Sequence, residues 1–423
     1  MNRKLIGASA VLGALALAGC SGNAAGGDAA GGGAADGAEL RVWLVGEDTP
    51  QEARDYLVET FEAENEGATL VIEEQQWTGI VDLLTTAMSG SDSPDIVEMG
   101  NTQAAAFTSA GAFADLTDMY EELGGDDLLP GFVEAGSFDG AFYAAPYYSG
   151  SRVVFYNTAM FEEAGIEVPT TLDEYVAAAE RLAETTGVSG VWYPGKDWYN
   201  ALPFIWENGG EIAVLEGEQW DAQLSSPESI AGLEQVQALM ATSQAPKDGD
   251  ETDAWVPFRE EQAAMLSAPS WAYWSIVADE DQAETALADS LGSFALPGKD
   301  GGAAQVFAGG SNIAIPAASD NQELAKSALR IMLSEEYQSI LAEAGLVPAL
   351  QSLGGDVAAA TPELAAVIAE AAANAKLTPA SPKWADVEAA QLLQDFFVQI
   401  ASGGDIPSLA EELDADIEAI LNG

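Results

Sequence analysis

Flat rings set among acids and amides recur along this chain, and Lys196-Asp197-Trp198-Tyr199-Asn200 gathers them into one run. Such a run has the parts that a pyranose requires. Ring faces cover its C–H faces, while Asp and Asn take its hydroxyls. The chain carries 10 tryptophans and 11 tyrosines, several at strand ends or in loops instead of in periodic apolar stripes. Trp43, Trp77, Tyr147, Tyr148, Trp198, Tyr199, Trp271, Tyr273, Trp274 and Trp384 are the stacking candidates. Core packing competes with stacking for each of them, most strongly for Trp43 inside an expected strand.

Composition removes several other chemistries. There is no histidine, which excludes Ser-His-Asp and Cys-His catalysis and histidine-rich zinc sites. No metal or cofactor is expected. Seven Arg and seven Lys are too few to suggest a dedicated phosphate or carboxylate receptor, so elimination favours a neutral ligand. A net charge of −55, spread along the chain, excludes nucleic acid and reads as a solvated acidic surface, plausible for a saline setting. Carboxylate pairs such as Asp95 with Glu98, or Glu73 with Glu74, would suit a glycoside hydrolase. With 69 acids, though, adjacency carries little information.

The elements that must position these residues follow from periodicity. Leu40 to Val45 reads as a buried strand, and Thr49-Pro50-Gln51-Glu52 as a capping box opening a helix with Ala53, Tyr56, Leu57 and Phe61 inward. Strands at 69–73 and 95–98 flank a helical stretch from Ile80 to Ser89. This βαβαβ order predicts a parallel sheet with helices on both faces and ligands beyond the strands' carboxyl ends. Further helices are expected after Thr171-Leu172-Asp173-Glu174, Ser226-Pro227, Asp320 to Glu323 and Thr361-Pro362, then from Trp384 to Ile400 and from Ser408 to Leu421.

The N-terminus has a different character. Arg3-Lys4, an apolar run from Leu5 to Ala18 and Leu17-Ala18-Gly19-Cys20 fit a cleaved secretory signal, residues 1–19. The segment resembles the lipobox of bacterial lipoproteins. That resemblance implies a lipid on Cys20 and a mature protein held on the extracytoplasmic face of the cell membrane. Residues 20–38, mostly Gly and Ala, read as a tether with a reach of roughly 25 Å. Cys20 is the sole cysteine, so no intramolecular disulfide forms.

Tyr147-Tyr148-Ser149-Gly150-Ser151-Arg152-Val153-Val154-Phe155-Tyr156-Asn157, followed by Met160 to Gly165 and Pro169 to Glu174, resembles the central signature of family 1 extracellular solute-binding proteins. These are the sugar receptors of ABC importers, similar to the maltose-binding protein. Ser93 to Val97, Phe258 to Met265, Ala268 to Ala272, Leu296-Pro297-Gly298 and Gly309 to Ile315 extend the resemblance from Leu40 to the C-terminus. It implies the α/β, two-lobed periplasmic-binding-protein fold of type II, with three crossovers and the ligand cleft between the lobes. One lobe would hold 39–145 and 297–332, the other 147–293 and 335–423.

Carried over by position, the resemblance places Glu47, Asp48, Gln76, Trp77, Asn101, Thr102 and Gln103 at the ends of the first three strands. It places Tyr147, Tyr148 and Arg152 at the first crossover, and Asp197, Trp198 and Tyr199 in the polar-aromatic loop. Trp271 would stack, Gly310 and Ser311 would form a small-residue loop, and Trp384 would form an aromatic wall. Met99-Gly100 stands where the maltose-binding pattern has an aromatic residue, which argues against maltose itself. The function implied is capture of a neutral mono- or oligosaccharide, without catalysis, by a monomer that delivers it to ABC permease transmembrane subunits. A polyamine receptor of the same family and a secreted glycoside hydrolase remain as alternatives.

Overall fold

A computed structural model describes residues 37–90, 93–278, 284–359 and 361–423. The signal segment, Cys20 and most of the expected tether lie outside the described residues.

The chain opens with β1 (Glu39–Val45), α1 (Gln51–Glu64), β2 (Thr69–Gln75), α2 (Ile80–Ser89), β3 (Ile96–Gly100) and α3 (Asn101–Ser109). β1 pairs in parallel with both β2 and β3, as the alternation predicts. Side chains of a strand point alternately to its two faces, and β1 shows the consequence. Leu40, Val42 and Leu44 enter one core with Leu57 and Phe61 of α1, while Trp43 and Val45 enter another with Leu84 of α2 and Phe107 of α3. Thr49 does not cap α1. Pro50 occupies that position without a side-chain bond, and Thr49 Oγ1 lies 2.9 Å from the Tyr147 hydroxyl instead.

Next come β4 (Ala144–Asn157), α4 (Leu172–Thr186), α5 (Pro227–Ala241), β5 (Met265–Pro269), β6 (Leu291–Phe294) and β7 (Val306–Ala314), with shorter elements between. Thr171 caps α4 by accepting from Glu174 N at 3.2 Å, and Ser226 caps α5 by accepting from Ser229 N at 3.1 Å. The reciprocal half of the first capping box is displaced: the Glu174 carboxylate takes Thr170 N, at 2.8 Å.

The C-terminal part adds α6 (Gln322–Met332), α7 (Glu335–Glu343), α8 (Trp384–Ala389), α9 (Leu392–Ala401) and α10 (Ile406–Leu421). The single helix expected from Trp384 to Ile400 is two helices. Gln391, at φ +55°, breaks it, and the turn lets Trp384 and Val387 of one piece and Leu393 and Phe396 of the other bury together. Asn321 takes the N-terminal position of α6 without capping it, donating instead to Asp95 at 3.3 Å.

The principal sheet is nine-stranded, and its main path runs β6-β4-β7-β3-β1-β2. β4 dominates it. This 14-residue strand is buried along nearly its whole length. Its first half pairs antiparallel with β7, and its second half with β5 and β6. Ala145, Tyr147 and Tyr148 pack with Leu40 and Leu57, whereas Val153, Val154 and Phe155 pack in a separate core with Trp198, Leu202 and Phe258. β7 makes the opposite passage, from Phe307 in the latter core to Ile313 in the former. α7 contributes Tyr337 and Leu341 to the first core. We call these the first and second cores below.

Candidate functional site

The carboxyl ends of β1, β2 and β3 deliver the first set of polar groups. Asp48, half-buried just past β1, accepts from Trp77 Nε1 at 3.0 Å and from the Tyr148 hydroxyl at 3.3 Å. Gly46 permits this approach: at φ +65°, a Cβ there would lie 3.0 Å from Trp77 Nε1. The Tyr148 hydroxyl shares its one proton between Asp48 and Glu98 Oε1, the latter nearer at 2.8 Å, and Glu98 Oε2 accepts Val45 N at 2.8 Å. Burial pushes the Asp48 carboxyl up to about 6 and that of fully buried Glu98 up to about 7. Both therefore spend part of their time protonated near neutral pH. Glu47 and Gln76 are exposed beside this cluster and hold no bond within it.

The second core supplies the rings. Tyr199 is half-buried and lies nearly parallel to Phe307, 4.6 Å between centroids at 17°. Trp198 packs 4.0 Å from Tyr199, and the Arg152 guanidinium sits 5.4 Å from the Tyr199 ring centre. Arg152 is held by Glu251, an ion pair the sequence left open. Asp197 is buried, takes Asn200 Nδ2 at 2.6 Å, and is pushed up to about 7 by burial and then by the charge of Glu251. Trp271, half-buried, packs against both cores and meets Trp255 edge-on at 5.3 Å.

Four expected ligand-facing rings are corrected by their burial, since a ring without exposed area offers no face to stack upon: Tyr147, Tyr148, Trp198 and Trp384. Tyr147 is fully buried, its hydroxyl 2.6 Å from that of Tyr337. Trp198 is buried behind Tyr199, and Trp384 is buried 6.3 Å from Trp198, donating its indole N–H to Glu388 at 3.1 Å. Trp198 and Trp384 back Tyr199, while Tyr147 packs on Tyr148 and Tyr337 in the first core. Asn101 is likewise buried and donates to Ala308 O at 3.1 Å. Thr102, half-buried, donates to Glu388 Oε2 at 2.9 Å.

Gly310 and buried Ser311 lie on β7 against Ser149 and Tyr148 of β4. A Cβ on Gly310, at φ +154°, would fall 2.3 Å from Tyr148 O, so only glycine fits. Trp43 is core, as its strand position implies. Trp274 donates its indole N–H to Ala344 O at 2.8 Å and meets Tyr273 edge-on, outside the cluster.

Phe307, Trp255, Glu251 and Glu388 were missed by sequence reasoning. A faint signal existed for two of them: Phe307 precedes the Gly309-Gly310 pair, and Glu388 lies four residues after Trp384, on the same helix face. Among the described residues no group of three or more acid, Cys or His side chains is placed to hold a metal ion. Within the same residues no helix is long and apolar enough to cross a membrane.

Comparison with known proteins agrees with this architecture. Residues 47–339 match the model of the family described as bacterial extracellular solute-binding protein. The diacetylchitobiose binding protein DasA of Streptomyces coelicolor is 34% identical over 399 residues, covering 92% of this chain and 91% of the relative. The GacH receptor of Streptomyces glaucescens superposes with a TM-score of 0.78 at 22% identity, over 91% of this chain and 98% of that one. Maltose-bound MalE3 of T. maritima gives 0.78 at 20% identity, over 91% and 100%.

Proposed function

We propose, since the chain belongs to the bacterial extracellular solute-binding proteins, that it captures a neutral mono- or oligosaccharide and hands it to the transmembrane subunits of an ABC permease. The observation that carries this is a pair of half-buried rings, Tyr199 backed by buried Phe307 and Trp271 edge-on to Trp255, together with half-buried Asp48 and the Arg152–Glu251 pair. Rings supply the apolar faces. Carboxyls pushed up towards neutrality supply hydroxyl partners that can either donate or accept. Because DasA binds diacetylchitobiose, N,N′-diacetylchitobiose is the first sugar to try.

The lobe boundaries that fit best are those at which the chain changes core: between Tyr148 and Val153, between Phe307 and Ile313, and between Leu350 and Val357. The latter two fall later than the 297 and 335 expected from the sequence. Closure of these lobes on sugar would favour the arrangement that the permease engages. The ligand itself undergoes no reaction.

One observation favours a second reading. Asp48, Glu98, Asp197, Glu251 and Glu388 put many carboxyls near the rings, as a polyamine receptor would require. Calorimetric titration with N,N′-diacetylchitobiose, other neutral oligosaccharides and spermidine separates the readings. Heat from a neutral sugar is expected; heat from spermidine alone would overturn the sugar reading, and release of reducing ends would bring back the hydrolase. We also infer lipid anchoring through Cys20. Cys20→Ser protein should appear in the medium, and retention in the membrane fraction would refute the anchor.

A further inference from the structure

Glu388 plays no part in the sugar contacts proposed above, yet its position joins α3 to the second core. One oxygen accepts Thr102 Oγ1 at 2.9 Å from α3, which packs through Ala104 and Phe107 with Trp43 and Val45 of β1. The other accepts Trp384 Nε1 at 3.1 Å, one turn earlier on α8. Trp384 packs on Trp198, and Trp198 backs Tyr199. A single carboxyl therefore ties α3 to the stack of rings. The Gln103 side chain also reaches Glu388, and its Oε1 is buried with no donor among the described residues. That contact holds the carboxyl down, against the larger effect of burial.

We propose that Glu388 is a positioning residue of the sugar site, fastening α3 to the Trp384-Trp198-Tyr199 stack, and that proton uptake at Glu388 tightens the hold on sugar. The proposal rests on the sugar-receptor reading. Among the described residues no cation acts on it: Thr102 and Gln103 of α3 are uncharged, and Trp384 is its partner on its own helix. Tyr199 is the titratable neighbour that feels its charge. α9 and α10 also pack near α8, and no acid or base on them acts on Glu388.

Burial accordingly pushes the carboxyl up from 4.5 to about 7 at this junction. Opening the junction would return it towards its ordinary value, so closing takes up a proton. The gain is fully present below the ordinary value and is lost as pH rises through about 7.

The test is calorimetric titration of the full chain with N,N′-diacetylchitobiose and the neutral oligosaccharides named above, at acid and alkaline pH. Wild-type affinity should be about tenfold weaker at ~pH 8 than at ~pH 5.5. Glu388→Gln keeps an acceptor for Thr102 and cannot ionise; its slope should be smaller than that of wild type, the remainder belonging to Asp48, Glu98 and Asp197, and it should bind more tightly than wild type at the alkaline pH. Glu388→Ala should weaken binding at both. An unchanged slope in Glu388→Gln, or unchanged affinity in Glu388→Ala, overturns this proposal alone. Failure of every sugar at both pH values overturns the receptor reading and this proposal with it.

Discussion

Replacing Trp271 with Ala removes the one ring among the described residues that packs against both cores while keeping part of its surface open. If a sugar covers about 80 Å² of that indole, the lost transfer free energy is about 2 kcal/mol at 25 cal/mol per Å². Affinity should then fall about 30-fold. Stability should fall less than for a fully buried tryptophan, because the ring is half-exposed and its edge-on contact with Trp255 is worth about 1 kcal/mol. A total loss of about 2–3 kcal/mol leaves a protein of ordinary stability folded at room temperature. Calorimetry gives the affinity and a circular-dichroism melt gives the stability. Trp43→Ala is the control, since Trp43 is a core ring on β1 that should lower the melt and leave affinity alone. Wild-type affinity in a folded Trp271→Ala protein would remove Trp271 from the site. An equal loss of affinity in Trp43→Ala would refute the reasoning, because destabilisation alone would then explain both.

Two more outcomes concern the scaffold. Glu98, Asp197 and Asp48 are pushed up to about 7, 7 and 6, so folding favours their protonated forms. Stability from them is present below the ordinary carboxylate range and lost as pH rises through 6 to 7, and the melting midpoint should climb as pH falls from 8 towards 5. A midpoint that stays flat or drops across this window would contradict the assignment. Gly310→Ala should cost about 3 kcal/mol or more by denaturant titration, since its Cβ would strike a backbone oxygen of β4; a change below about 1 kcal/mol would show that β7 can shift aside.

The first half of the fold was legible because its helices and strands have distinct periods. β1 alternates between two cores, and α1 buries Ala53, Leu57 and Phe61 at helical spacing. β4 was legible as a signature and not as geometry. Both of its faces are buried, so no alternation tells that neither tyrosine meets solvent, or that Tyr147 turns to Tyr337 while Tyr148 turns to Asp48 and Glu98. Trp198 and Tyr199 are adjacent in sequence, yet one is buried behind the other, a difference that depends on Phe307 more than a hundred residues away. Glu251 and Glu388 were hidden by abundance. In a chain of 69 acids, nothing local distinguishes the two that meet Arg152 and Thr102. Thr49 shows the opposite failure: a well-formed local motif was overridden by a tertiary partner, the Tyr147 hydroxyl.

The continuous strand β4 also governs how the chain must reach its native state. Ser151 waits for Ala308 to complete its ladder, and Arg152 waits for Pro269. Pairings of such long sequence separation are slow to form. Until β7 arrives, β4 is an open edge of mostly apolar residues, and neither core is sealed. A nascent chain truncated before β7 should consequently remain protease-sensitive throughout. With β7 in place, both halves share one ladder, and thermal unfolding should proceed as one cooperative event instead of two.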